Sequence, residues 1–188
     1  MRISSFAIWF LATAISSLTA CGGDDGGMTS ELTCANYCTA ITANCTGTNQ
    51  QFSGMNECMS SCMHYPVGAA ADTSGNTLGC RTYHAGAAMT GPDVHCRHAG
   101  PGGDGVCGAN CESFCALVLG ECTGALMQYG GDMGTCMTAC AGFATTPAYN
   151  SSQTSGNTFA CRLYHATAAS VNPTTHCPHT GASGGPCS

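Results

Sequence analysis

Six of the seven histidines in this 188-residue chain fall into two sets of three with identical spacing. The first set is His84, His95 and His98, and the second is His165, His176 and His179. Neutral imidazole nitrogens are good ligands for zinc and copper, and three of them leave one coordination position open. The spacing therefore predicts a three-histidine site for copper or zinc in each set.

The three rings of one set meet only if the fold brings two separate segments together. Cys80 and His84 are four residues apart and would share one face of a helix, whereas His95 and His98 would share one helical turn. A disulfide at Cys96 could hold that turn against the helix. The alternative is structural: His84 would donate a ring N–H to a backbone carbonyl, and the other two rings would cap glycine-rich turns.

Each set of histidines follows an arginine and a tyrosine, which are Arg81 and Tyr83 in the first copy and Arg162 and Tyr164 in the second. The arginines either bind an anion or donate to a nearby helix carbonyl, and the tyrosines fit core or rim positions. No Cys-x-x-Cys-His motif for covalent haem occurs. Phosphate loops, nucleophile elbows and recurring acidic pairs are absent from the sequence as well, so we expect no enzymatic activity.

The histidine sets lie in a duplicated frame of eight cysteines with nearly constant gaps. The first copy contains Cys34, Cys38, Cys45, Cys58, Cys62, Cys80, Cys96 and Cys107, and the second contains Cys111, Cys115, Cys122, Cys136, Cys140, Cys161, Cys177 and Cys187. Small modules with few large aliphatic residues need disulfides for stability, so we expect four per copy. The alternative is reduced cysteines that bind zinc, Cu(I) or an iron–sulfur cluster.

The cysteine spacing predicts helices. They are expected from Ser30 to Gly47, from Ser53 to Met63 and from Thr77 to Met89 in residues 30–107, with the same order in residues 108–188. Cysteines four apart on two antiparallel helices would allow Cys34 to pair with Cys62, and Cys38 with Cys58. The fold class is thus small, all-α and disulfide-rich, in two tandem three-helix modules. The paired cysteines resemble the twin Cys-x3-Cys helical hairpins of some small exported proteins.

The amino-terminal segment, residues 1–20, has the charged start and short apolar stretch of an export signal. It ends in Leu18-Thr19-Ala20-Cys21, which resembles the lipobox of bacterial lipoproteins and implies acylation, including palmitate, at Cys21. An ordinary signal peptide is the alternative. Residues 21–29 would then form a flexible tether. Gly22 stands where an aspartate would retain an enteric lipoprotein in the inner membrane, so the resemblance favours the outer membrane.

The chain is acidic and poor in charge, with four basic and ten acidic residues. This composition excludes nucleic acid as an expected partner. It is similar to that of uncharacterised cysteine-rich bacterial lipoproteins. We expect a non-catalytic, lipid-anchored cell-envelope protein that acts as a disulfide-stapled binding or structural scaffold for envelope or surface proteins. The alternative function is a copper- or zinc-binding lipoprotein with one three-histidine site per module.

Overall fold

A computed structural model describes residues 31–188, which contain eight α-helices and no β-strand. The helices are α1 (Cys34–Asn44), α2 (Met55–Cys62), α3 (Leu78–Ala87), α4 (Pro92–Ala99), α5 (Asn110–Glu121), α6 (Met133–Cys140), α7 (Phe159–Ala169) and α8 (Pro173–Thr180). The all-α, disulfide-rich fold in two tandem copies is confirmed. None of the helices within residues 31–188 is long and apolar enough to span a membrane. The expected signal, the tether and Cys21 lie outside the described residues.

Threonine side chains start three of the helices. The Oγ1 atoms of Thr77 and Thr158 each accept a hydrogen bond of 3.1 Å from the backbone N–H of the cysteine three residues later. Thr33 caps α1 in the same way. α5 begins at Asn110, after Ala109, without a side-chain cap. Each cap satisfies an N–H group that has no partner within its helix.

The segment with the paired histidines is a fourth short helix in each module, where the sequence predicted a single turn. These helices, α4 and α8, begin with Pro92 and Pro173, which fit the first helical position because proline lacks an N–H group. Eight residues are too few to form a stable helix alone. Tertiary anchors must therefore hold α4 and α8, and sequence periodicity cannot reveal them.

Disulfides supply the first of these anchors. All sixteen cysteines of residues 31–188 are paired. In the first module, two disulfides join α1 to α2 as expected, Cys34–Cys62 and Cys38–Cys58. Two further bridges in that module join α1 to α4 and α3 to the following loop, namely Cys45–Cys96 and Cys80–Cys107. The second module repeats all four pairings: Cys111–Cys140, Cys115–Cys136, Cys122–Cys177 and Cys161–Cys187. Reduced cysteine ligands are therefore not present in the described structure.

A buried tyrosine supplies the second anchor. The Tyr37 hydroxyl donates a 2.7 Å hydrogen bond to the carbonyl of Ala99, the last residue of α4. In the second module Phe114 stands in place of Tyr37, and Tyr129 instead donates to the carbonyl of Thr180 at the end of α8. In both modules a tyrosine hydroxyl thus donates to the last carbonyl of the short helix, but the tyrosine comes from a different part of the module in each.

The two modules are in direct contact. The His64 Nε2 atom lies 2.9 Å from the Glu121 carboxylate, and Arg81 donates to the Ser113 hydroxyl at 3.1 Å. Gly120 allows this approach because a Cβ atom there would overlap the His64 ring. His64 is therefore a half-buried residue of the module interface.

We expect Tyr37→Phe to lower the free energy of unfolding by about 1–3 kcal/mol, because the buried Ala99 carbonyl loses its donor. Urea denaturation followed by circular dichroism would measure the change. Tyr83→Phe is the matched control, since that side chain is 49% exposed. Equal denaturation midpoints for Tyr37→Phe and the unmodified protein would contradict this assignment.

Candidate metal centre

The histidines of each set come from two neighbouring helices. His84 lies on α3 and faces His95 and His98 on α4, while His165 on α7 faces His176 and His179 on α8. The two histidines on α4 or α8 are three residues apart, so their side chains lie on the same side of the helix. The cysteine between them forms a disulfide with the residue after α1 or α5, and this bridge restricts the rotation of α4 or α8 about its axis. The structure therefore brings together each predicted set.

In the first module, the three rings form a tight cluster. The Nδ1 atoms of His84 and His95 are 2.8 Å apart. The His98 ring centroid lies 4.9 Å from that of His84 and 6.1 Å from that of His95. One nitrogen from each of the three rings lies within 4.8 Å of the other two.

The second module has the same arrangement. The Nδ1 atom of His165 is 2.8 Å from that of His176 and 3.4 Å from that of His179. A tetrahedral metal with bonds of about 2.0–2.1 Å to nitrogen separates its ligand atoms by about 3.3 Å. Both of these separations are thus close to the spacing that one ion requires.

Backbone carbonyls determine which ring nitrogen carries the hydrogen in the first histidine of each cluster. The Nε2 atom of His84 lies 3.2 Å from the Thr73 carbonyl, and that of His165 lies 3.3 Å from the Thr154 carbonyl. A carbonyl can only accept, so Nε2 holds the hydrogen and Nδ1 presents its lone pair to the cluster. Metal-bound histidines are commonly oriented by such a bond from the second nitrogen.

The metal-free cluster cannot satisfy all of its nitrogens. His95 can donate its Nδ1 hydrogen to the lone pair of His84, but the buried Nδ1 atom of His98 then has no hydrogen-bond partner. Buried polar atoms without partners are costly and rare. A single ion at the centre would meet the lone pairs of all three rings at once.

Burial favours the neutral form of four of the six cluster imidazoles. Desolvation lowers the pKa of His84, His98 and His176, and it lowers the pKa of His165 to about 4. The neighbouring imidazoles lower these pKa values further, because two positive rings would repel each other. Neutral rings keep the lone pairs that a metal needs, so at neutral pH no proton competes strongly for these four rings.

The sulfur atoms near the clusters are not available as ligands. Cys80 and Cys107 lie beside His84, as Cys161 and Cys187 lie beside His165, but both pairs form disulfides. Disulfide sulfurs lack the negative charge of the thiolate ligands that zinc binds. The donor set within residues 31–188 is therefore three imidazoles per module.

The two arginines are buried on α3 and α7, the helices that carry the first histidine of each cluster. Arg81 is fully buried, lies 3.9 Å from the Tyr65 ring centroid and donates to Asn76 and the Thr77 carbonyl. Arg162 likewise lies 4.1 Å from the Phe143 ring and donates to the carbonyls of Thr158 and Gly181. Each arginine therefore donates to a nearby helix carbonyl, which is one of the two roles that the sequence indicated.

Sequence reasoning missed the Thr73 and Thr154 carbonyls as parts of the site. A signal for them existed, because both copies repeat Thr-Ser-Gly-Asn-Thr immediately before α3 and α7. The first threonine orients the histidine through its carbonyl, whereas the last caps the helix through its hydroxyl.

The metal-free protein should lose stability as the pH falls from 6.5 toward 4. Because the pKa of His165 is near 4 when folded and near 6.5 when exposed, the unfolded chain binds more protons in this window. Thermal unfolding with a chelator present would show a falling melting temperature. His165→Gln, which can still donate to the Thr154 carbonyl, should reduce the slope. The same slope in both proteins would contradict the role of His165.

One protein-family model matches the chain at two places. Residues 24–110 and residues 108–188 each match the BfoA family C-terminal domain. No curated protein and no solved structure matches the chain. The two matches follow the duplicated cysteine and histidine frame, so each copy of the domain contains one complete histidine cluster. The chain therefore belongs to the BfoA C-terminal domain family and carries two tandem copies of its domain.

Proposed function

We propose that this protein binds two copper or zinc ions, one in the three-histidine cluster of each module. The observation that carries the proposal is the convergence of one ring nitrogen from each of three histidines in both copies, with the His84 and His165 lone pairs directed inward by backbone carbonyls. A purely structural histidine would need the carbonyl bond but not the two neighbouring rings. The duplication supports a shared function, because the two modules otherwise differ in many core residues.

In this proposal, the disulfide-stapled scaffold that the sequence predicts serves to hold the metal sites. Four disulfides per module and the contacts between modules provide a rigid frame for short helices. We expect the protein to be non-catalytic, because its sequence contains no recognisable nucleophile with a base and no recurring pair of carboxylates. Metal handling or delivery to envelope proteins fits such a frame.

Location in the cell envelope is part of the same proposal. Acylation at Cys21 would attach the chain to a membrane, with residues 21–29 as the tether and the outer membrane as the favoured site. The disulfides support an oxidising compartment. Metabolic labelling with a palmitate analogue, compared between the unmodified chain and Cys21→Ala, tests the anchor. Equal labelling of both proteins would contradict it.

Metal stoichiometry tests the proposed function. Residues 31–188, purified with intact disulfides and dialysed against copper or zinc, should bind two ions per chain by elemental analysis. His98→Ala should lose one ion, and His84→Ala combined with His165→Ala should lose both. His64→Ala is the control, because this seventh histidine lies outside both clusters and should leave two ions bound. Uptake that is unaffected by the cluster substitutions would contradict the proposal.

A second prediction separates stability from site geometry. Cys45→Ala with Cys96→Ala should lower the free energy of unfolding by about 2–5 kcal/mol and also weaken one metal site, because α4 loses its anchor. Cys34→Ala with Cys62→Ala should cost a comparable amount but keep both ions bound. Denaturant unfolding and metal titration together make the comparison. Equal metal affinity in both double variants would show that the α1–α4 bridge does not position the histidines.

A further inference from the structure

A cavity of about 340 Å³ lies where the two modules meet. Its walls include three residues from each module, which are Arg97, Gly102 and Asp104 from the first and Thr145, Ala148 and Phe159 from the second. None of these six residues belongs to a histidine cluster. Cavities of this volume at the junction of two domains are common binding places for small molecules.

Hydrogen bonds between the modules fix the shape of the cavity on two sides. On one side, the Tyr149 hydroxyl of the second module donates to the Gln51 carbonyl of the first at 3.0 Å. On the other side, the backbone N–H of Asp104 donates to the Asn110 side chain at 3.1 Å. The walls are thus already in place, so a ligand does not have to order them when it binds.

The first module supplies a cation to this cavity. The sequence contains no lysine, and three of its four arginines lie within residues 31–188. Arg81 and Arg162 are 0% and 1% exposed, whereas 40% of the Arg97 side chain is exposed. Arg97 is therefore the one permanent cation of residues 31–188 that a solute can reach. A guanidinium group matches a carboxylate well, because it can donate two parallel hydrogen bonds.

The Asp104 carboxylate lies beside this cation. Its Oδ2 atom is 3.6 Å from the Nη1 atom of Arg97, which is too far for a hydrogen bond. The Nε atom of Arg97 donates to the Asp93 carbonyl at 3.2 Å, and this bond orients the guanidinium without using its outer nitrogens. Exposed ion pairs of this kind contribute little to stability, so a ligand can separate the two charges at small cost.

The arrangement favours a solute that carries both charges. An α-amino acid has a carboxylate and an ammonium group on the same carbon atom, and these groups can lie opposite Arg97 and Asp104. A simple anion would also meet the negative charge of Asp104, and a simple cation would meet Arg97. Phe159 and Tyr149 place aromatic rings in the wall of the cavity, so an apolar side chain on the ligand would have a matching surface.

We propose that this cavity binds a free α-amino acid with an apolar side chain, with its carboxylate at Arg97 and its ammonium group at Asp104. This site is separate from the metal clusters and does not depend on them. In the second module Pro178 stands in place of Arg97, so the duplication does not repeat the site. The chain should therefore bind one amino acid.

Calorimetric titration of the metal-free protein with L-leucine, L-methionine and L-phenylalanine tests the proposal. Metal is removed first, because amino acids themselves bind copper and zinc. At least one of the three should bind with one molecule per chain. The amide of that amino acid lacks the carboxylate, and its N-acetyl derivative lacks the ammonium group. Each derivative should bind about tenfold more weakly, because one charged hydrogen-bonding partner is lost.

Arg97→Gln and Asp104→Asn should each weaken binding of the amino acid about tenfold for the same reason. Asparagine tolerates the positive backbone φ of 46° at position 104, so the turn should persist. Asp93→Asn is the matched control, since this carboxylate lies on the same helix as Arg97 but accepts a hydrogen bond from Asn49. It should leave the affinity unchanged. Circular dichroism shows whether each variant keeps its helices.

The outcomes separate this proposal from the proposed function. No binding of any of the three amino acids to the metal-free protein would overturn the amino-acid site, whether or not two metal ions bind. Equal affinities for the amino acid and both derivatives, or an affinity that neither Arg97→Gln nor Asp104→Asn changes, would overturn it too. Amino-acid binding by a chain that takes up no metal would support this site and contradict the metal sites alone.

Discussion

The bridge from the end of α1 to the middle of α4, Cys45–Cys96, is the constraint on which the site depends. An eight-residue helix has little stability of its own, and α4 carries two of the three histidines. The bridge brings Cys96 into the core, and its neighbours His95 and His98 then face α3. Cys122–Cys177 holds α8 in the same way. The Tyr37 and Tyr129 hydroxyls hold the far ends of these helices through their last carbonyls.

The clusters disfavour protons, as the proposed metal binding requires. Burial and mutual repulsion lower the pKa of several of the rings, so they are neutral when the pH is neutral. Hydrogen bonds among neutral imidazoles are limited, because each ring has one donor and one acceptor. The Thr73 and Thr154 carbonyls use the donor of the first ring in each cluster. What remains at the centre is a surplus of lone pairs, which is the condition for binding a metal.

The sequence predicted those features that depend on spacing within a helix. The disulfide between Cys34 and Cys62 follows from cysteines that are one helical turn apart. Thr77 is recognisable as the start of its helix, because a residue with a hydroxyl group precedes a periodic segment that contains cysteine. The histidine sets were recognised because the spacing recurs in both copies. These are local properties, and a duplicated chain displays each of them twice.

Features that depend on contacts between distant segments were not predictable. His64 has no counterpart in the second copy, and only the packing of the two modules shows that it meets Glu121. The burial of Arg81 depends on Tyr65 and on Ser113 of the other module. The helix α4 was missed because its anchor is a disulfide partner 51 residues away, which no periodicity can reveal.

The most direct test of the account is to determine which nitrogen of each histidine carries the hydrogen, by nitrogen-15 NMR of the imidazole rings before and after zinc is added. The account predicts hydrogen on Nε2 of His84 and His165 without metal, because the Thr73 and Thr154 carbonyls accept from them. Zinc should then shift one ring-nitrogen signal of each of the six cluster histidines, through Nδ1 for His84 and His165, and leave His64 unchanged. Zinc bound through Nε2 of His84 or His165, or spectra that do not change, would contradict the central claim that three imidazoles per module form a metal site.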